Sequence, residues 1–170
     1  MSVAVCSLLW DKARNGAQKI DYDDDGYHLV RFPFDAETES LDAWDMHDPS
    51  HGGGSNYPDA RSGLIWPSHD GWGYVSALIF WDPTNDASEY RLRFVRDPLN
   101  LATGYDSTAT TDFTRTGGGQ FRSHTWQMQV HKGVPLGLKI SARGAGDAKI
   151  PVPIKHAQFK LSIQTDVITP

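Results

Sequence analysis

The sequence predicts an all-β protein, a two-sheet sandwich of about eight to ten short strands and most simply a jelly roll. Three observations carry that expectation. Apolar and polar residues alternate with period two in several segments, as strands with one buried and one wet face require. Gly, Pro and Asx clusters interrupt the chain every few residues, with 16 Gly and 10 Pro in 170 residues. Helical periodicity is scarce, and neither an internal repeat nor a heptad run is visible. The length suits one ordinary domain, 1–170, with a core over about 17–168. Six Trp, six Tyr and seven Phe supply the bulk for that core.

In chain order, residues 3–10 form a short apolar run in which Cys6 reads as a small buried hydrophobe. The run is too short to span a membrane, and it lacks the basic start and small-residue cleavage site of a secretory signal. The turn Asp24-Asp25-Gly26 precedes a strand over residues 27–34, with Pro33 marking an edge or an end. Residues 42–59 have little periodicity, contain Gly52-Gly53-Gly54, and read as a long surface loop. Residues 74–81 are almost continuously apolar, which fits a central strand covered on both faces, by a second sheet and by a subunit. Asp82-Pro83-Thr84-Asn85-Asp86 reads as a hairpin loop. Beyond it, Tyr90, Leu92 and Phe94 alternate with Arg91, Arg93 and Val95. Trp126, Met128 and Val130 alternate with Gln127, Gln129 and His131, and Phe159, Leu161 and Ile163 with Lys160, Ser162 and Gln164. Leu136, Leu138 and Ile140 mark one more strand. Glycine turns at residues 117–119 and 144–147 close the later strands.

Composition excludes several function classes. The net charge is −5 and there is no basic block, so a nucleic-acid backbone finds no electrostatic footprint. Arg91, Arg93 and Arg96 read as the wet face of a strand. One cysteine permits no intrachain disulfide. Phosphate-cradling glycine motifs are absent.

The acidic run from Asp21 to Gly26 matches the front half of a calcium loop, but its twelfth position is Phe32 where a bidentate Glu is needed. It reads as a solvated acidic turn, with a looser calcium site at Asp21, Asp23 and Asp25 as the functional alternative. His47 and His51, with Asp45 and Asp48, could ligate a metal, although a glycine-rich loop is a poor cage. Ser68, His69 and Asp70 adjoin in sequence, which says little about a triad assembled in space. No pair of acids stands out for glycoside cleavage, so no enzyme is expected. Trp44, Tyr57, Trp66 and Trp72 lie in or beside expected loops. They plug the ends of the sandwich or contact a partner subunit or a glycan, because aromatic rings dominate binding hot spots. A carbohydrate-binding module using these rings is the alternative to a purely structural protein.

Residues 62–67 (Ser-Gly-Leu-Ile-Trp-Pro) and 71–77 (Gly-Trp-Gly-Tyr-Val-Ser-Ala) together resemble a signature of the tumour-necrosis-factor/complement-type jelly roll. There a strand ends at a Pro, a glycine turn follows, and a Gly-x-Tyr-like start leads into a central apolar strand. Residues 159–163 resemble that fold's final strand, and Gln18-Lys19-Ile20 the end of its first. Within that fold, Asp42-Ala43-Trp44-Asp45-Met46-His47-Asp48-Pro49 and the arginine-bearing residues 90–96 resemble small virion proteins of tailed bacteriophages. That resemblance implies a non-enzymatic virion component: a minor tail protein, an adhesin or a capsid decoration, assembled in the host cytoplasm. It implies homotrimers, with other virion proteins and a host-surface glycan as further partners; from charge and the shortness of the apolar runs, neither nucleic acid nor membrane insertion is expected.

Overall fold

The computed structural model describes residues 2–33, 41–48, 57–84, 86–117 and 120–164. Their strands in chain order are β1 (Val3–Asp11), β2 (His28–Leu29), β3 (Leu41–Asp42), β4 (Leu64–Ile65), β5 (Gly71–Trp81), β6 (Glu89–Arg96), β7 (Asp106–Thr114), β8 (Gln120–Val130), β9 (Leu136–Arg143) and β10 (Ile154–Gln164). One sheet runs β3-β1-β10-β5-β8 and the other β2-β9-β6-β7, with β4 also pairing to β9. Every pairing is antiparallel. This is the jelly-roll sandwich that the alternation of side chains predicts.

The core lies between the sheets. The first contributes Leu8, Trp10, Val75, Ile79, Trp81, Phe159 and Leu161, and the second Tyr90, Leu92, Phe94, Leu138 and Ile140, all buried. Aromatic rings join the layers: Phe94 stacks on Phe159 with centroids 6.1 Å apart, and Trp81 meets Tyr90 at 4.8 Å. Each such side chain contributes about 2–3 kcal/mol by leaving water.

The chain's start is part of this core. Ala4, Cys6, Leu8 and Trp10 are fully buried on β1, so the core begins ahead of residue 17. The first strand is β1, and Gln18-Lys19-Ile20 lies in the connection after it. Asp11 ends β1 because its carboxylate accepts from the Ala13 amide and starts the short helix α1 (Lys12–Asn15). Gly16, at φ 76°, closes that helix.

Three further expectations change. Residues 82–86 are not a hairpin loop, because β5 pairs with β10 and β8 whereas β6 pairs with β7 and β9; the segment carries the chain from one sheet to the other. The strand expected over 27–34 shrinks to His28–Leu29 in ladder pairing. Beyond it Val30 and Phe32 donate singly, to the carbonyls of Leu138 and Ser62. Phe34 falls outside the described residues. The segment expected as a surface loop over 42–59 is exposed at 43–45 and 58–59 but turns inward at 46–48, where Met46, His47 and Asp48 have no exposed surface. The Asp42 carboxylate accepts from the Met46 and His47 amides at 2.7 Å each. Residues 49–56, including His51 and the three glycines, lie outside the described part.

Candidate assembly face on the outer side of the first sheet

The two outer faces of the sandwich differ in kind. On the second sheet the outward residues of β9 are covered: Lys139, Ser141 and Arg143 are all buried. The segment around residues 22–27 lies over them. Asp23 accepts from Lys139 Nζ at 2.6 Å, and Ser141 Oγ and Arg143 Nη2 donate to the Gly26 carbonyl. Arg93 sits 3.9 Å over the Tyr27 ring, and Arg91 pairs with Glu89 and Asp147. The arginines expected on a wet strand face are therefore mostly engaged, which leaves this side little unmet bonding capacity.

The outer face of the first sheet carries the opposite chemistry. The register places Val3, Gln164, Trp72 and Gln129 in one row and Val5, Ser162, Tyr74 and Gln127 in the next. A middle row of Ser7, Lys160, Ser76 and Thr125 follows, then one of Leu9, Gln158, Leu78 and Ser123. The last row holds Asp11, His156, Phe80 and Phe121. Phe80 and Phe121 stack face to face at 4.1 Å. Nine large hydrophobic side chains are exposed among the described residues, and five of them (Val3, Leu41, Trp72, Tyr74 and Phe121) stand on this one face. Trp72 and Phe121 are 52% and 57% exposed, although they sit in the middle and at the border of a regular sheet. Val3, Trp72 and Tyr74 cluster at one end of the face and Phe80 and Phe121 at the other, with the row Ser7, Lys160, Ser76 and Thr125 between them; exposed apolar side chains concentrated on one face mark a place for a partner.

A partly covered edge of mixed polarity adjoins this face. Strands β7 and β8 each form one edge of their sheets, opposite the edges at β2 and β3, and their inward residues are incompletely covered. Ala109, Thr111 and Phe113 on β7 and Arg122 and His124 on β8 are half-buried, and Trp126 is 46% exposed although it points inward beside Val75. The Trp126, Met128, Val130 alternation thus fixes the direction of Trp126 correctly but not its burial, because an edge strand has a covering neighbour on one side only. His124 stacks on Phe94 at 4.9 Å, and its desolvation lowers the imidazole pKa.

The four aromatic residues expected at loops separate into different roles. Trp72 is on β5, not in a loop, and stands on the outer face. Tyr57 is half-buried against the core and its hydroxyl accepts from the Trp10 indole N–H at 3.1 Å. Trp44 and Trp66 converge on a cleft at one end of the sandwich. Tyr74 lies in the run 74–81, whose almost unbroken apolarity loads both faces of β5, whereas Phe121, Val3 and Leu41 are not singled out by the sequence, because only strand pairing brings them to this face.

The candidate chemical groups are occupied structurally. Asp23 holds Lys139 and the Tyr27 amide, and Asp21 pairs loosely with Lys19. His47 Nε2 lies 2.7 Å from the Ser62 carbonyl, and Asp48 pairs with Arg61 at 3.1 Å. Among the described residues no three His, Cys, Asp or Glu side chains converge as a metal site would need. Burial, with Asp42 alongside, pushes the Cys6 thiol pKa up, so it remains a protonated core group. Ser68 Oγ does reach His69 Nδ1 at 2.8 Å on an exposed turn, but Asp70 faces away to the Lys132 amide and orients no imidazole there.

This arrangement is that of the tumour-necrosis-factor/complement-type jelly roll. The globular domain of zebrafish complement 1qA protein is similar over 95% of this chain and 97% of its own, at 14% identity and a TM-score of 0.58. Eiger TNF from S. frugiperda is similar over 100% and 98%, at 12% identity and 0.53, and murine APRIL over 96% and 100%, at 8% identity and 0.57. No protein-family model matches the chain, and no curated protein matches it in sequence.

Proposed function

We propose that the chain is a non-enzymatic jelly-roll domain that works by closing into a homotrimer through the outer face of the first sheet. The observation that carries this reading is that Val3, Leu41, Trp72, Tyr74 and Phe121 are exposed on one face, while on the opposite sheet the outward residues of β9 are covered and those of β7 are polar. A ring of identical subunits needs two different patches that fit each other. The aromatic face supplies one, and the open β7–β8 edge with Trp126 supplies the other. The tumour-necrosis-factor/complement-type fold supports the same assembly. Light scattering tests it: the purified chain should have three times the 18.9 kDa mass of one copy. Replacing Trp72, Tyr74 and Phe121 together by Gln should give folded monomers. A wild-type chain that stays monomeric at tens of micromolar overturns the reading.

We place this trimer on the surface of a tailed-phage virion, as a minor tail, adhesion or decoration protein assembled in the host cytoplasm. What supports this placement is the resemblance carried by residues 42–49 and 90–96, and the fold is compatible with it. Antibody labelling of purified particles decides it, since a protein of that role is found on virions and one that never copurifies with them is not.

A further inference from the structure

We propose that the cleft between Trp44 and Trp66 binds one neutral pyranose ring of a saccharide. The inference stands apart from self-assembly, because the cleft lies at an end of the sandwich and not on the aromatic face. Its volume is about 330 Å³, and Trp44, Asp45, Trp66, Pro67, Ser68 and Lys132 line it. That is the lower end of the range for small-molecule sites and suits a single ring.

The walls are built, not loose. Asp42 clamps the turn that bears Trp44 through the amides of Met46 and His47. The Met46 carbonyl then accepts from the Trp66 amide at 2.6 Å, which fixes the two indole-bearing segments to each other. Arg61, held by the fully buried Asp48, covers one face of the Trp66 ring at 4.6 Å. Across the cleft, the Lys132 amide donates to Asp70 at 2.7 Å and the Gly133 amide to the Pro67 carbonyl at 3.2 Å.

The lining chemistry selects the ligand. A pyranose has a C–H-rich face that stacks on an indole and a rim of hydroxyls that must be hydrogen-bonded once out of water. Trp44 is 37% exposed and offers such a surface. Asp45 accepts only, Lys132 donates only, and the Ser68 hydroxyl does either. Neither Asp45 nor Lys132 forms an ion pair with another described residue. One acid and one base leave no net charge, which favours neutral sugars over phosphate or sialic-type anions.

The full chain on an array of neutral, amino and anionic glycans, followed by titration of the hits against tryptophan fluorescence, tests this directly. Saturable binding to a neutral glycan is expected. Trp44→Ala should weaken it at least tenfold and Lys132→Ala several-fold, both with unchanged circular dichroism. Light scattering on the same samples reports assembly separately. Binding to no neutral glycan, to anionic glycans or apolar dyes only, or undiminished binding by Trp44→Ala and Lys132→Ala overturns the assignment.

Discussion

Buried polar side chains in this protein are mostly backbone partners that let the chain turn without stranding amides. Asp97 is fully buried at φ 48° and accepts from the amides of Leu101, Ala102 and Gly104. Burial alone would raise its pKa, and those amides more than reverse that, leaving it below the usual carboxylate range. His28 works the other way. Its Nε2 faces Gln18 Oε1 at 2.9 Å, and its Nδ1 accepts from the Asp21 amide at 3.1 Å, an arrangement for the neutral ring. Desolvation lowers its pKa to about 4, with Arg31 adding to the fall and Asp21 and Asp23 opposing it. In the unfolded chain this imidazole takes its proton near its ordinary value. Stability is therefore fully present above pH 6.5 and is lost as pH falls toward 4, because only the unfolded state binds the proton in that window. Between pH 7 and 4.5, His28 should account for roughly 2–3 kcal/mol of lost stability. Urea denaturation at the two pH values measures it: His28→Gln should be less stable than wild type at pH 7 yet lose less on acidification. Equal losses in both proteins would remove His28 from the account.

Strands set the next scale, where close approach of backbones decides which residues fit. Gly71 opens β5 opposite the end of β10, and a Cβ there would fall 2.5 Å from the Gln164 carbonyl oxygen. Gly117 has open space around it and an unremarkable φ. Gly71→Ala should therefore cost about 1–3 kcal/mol in chemical denaturation, while Gly117→Ala should be neutral or stabilising by about 0.5 kcal/mol; a neutral Gly71→Ala would mean the β5–β10 register is wrong. The same scale shows what sequence patterning can convey. Alternation correctly picks the inward residues of β6, β9 and β10, because these strands have neighbours on both sides and one face against the core. It misses β1 as a core strand, since Val-Ala-Val-Cys-Ser-Leu-Leu-Trp reads as an apolar run without a wet face. It also cannot say that 82–86 changes sheets, because an inter-sheet connection uses the same turn residues as a hairpin. Trp72 was legible as an exposed aromatic but not as a strand residue, its neighbours Gly71 and Gly73 being ordinary loop signals. The convergence of Trp44 and Trp66 depends on the Met46–Trp66 backbone bond between segments twenty residues apart, which no local pattern announces.

At the level of the whole molecule, the placement of the outer face and the β7–β8 edge constrains how copies combine. A twofold dimer buries the same patch on both partners, so the outer face of the first sheet would meet itself and the β7–β8 edge would be idle. A threefold ring pairs each copy's face with the next copy's edge, so both are needed in every subunit. Single-surface variants separate these geometries. Phe121→Lys damages the face and spares the inward side of the edge; Trp126→Lys damages the edge and spares the face. In a ring, each variant alone has no complementary pair of intact surfaces and should be monomeric. Mixed in equal amounts, the intact edge of the first can dock on the intact face of the second, but the ring cannot close. The mixture should then show two-chain species and no three-chain species by light scattering. Lys at either position desolvates an unpaired charge in the docked state, a cost of several kcal/mol that is ample to break one contact. If Trp126→Lys alone assembles as wild type does, the edge plays no part and the contact is face to face. If each variant is monomeric and the mixture gains dimers, one surface of each copy is reading a different surface of the next.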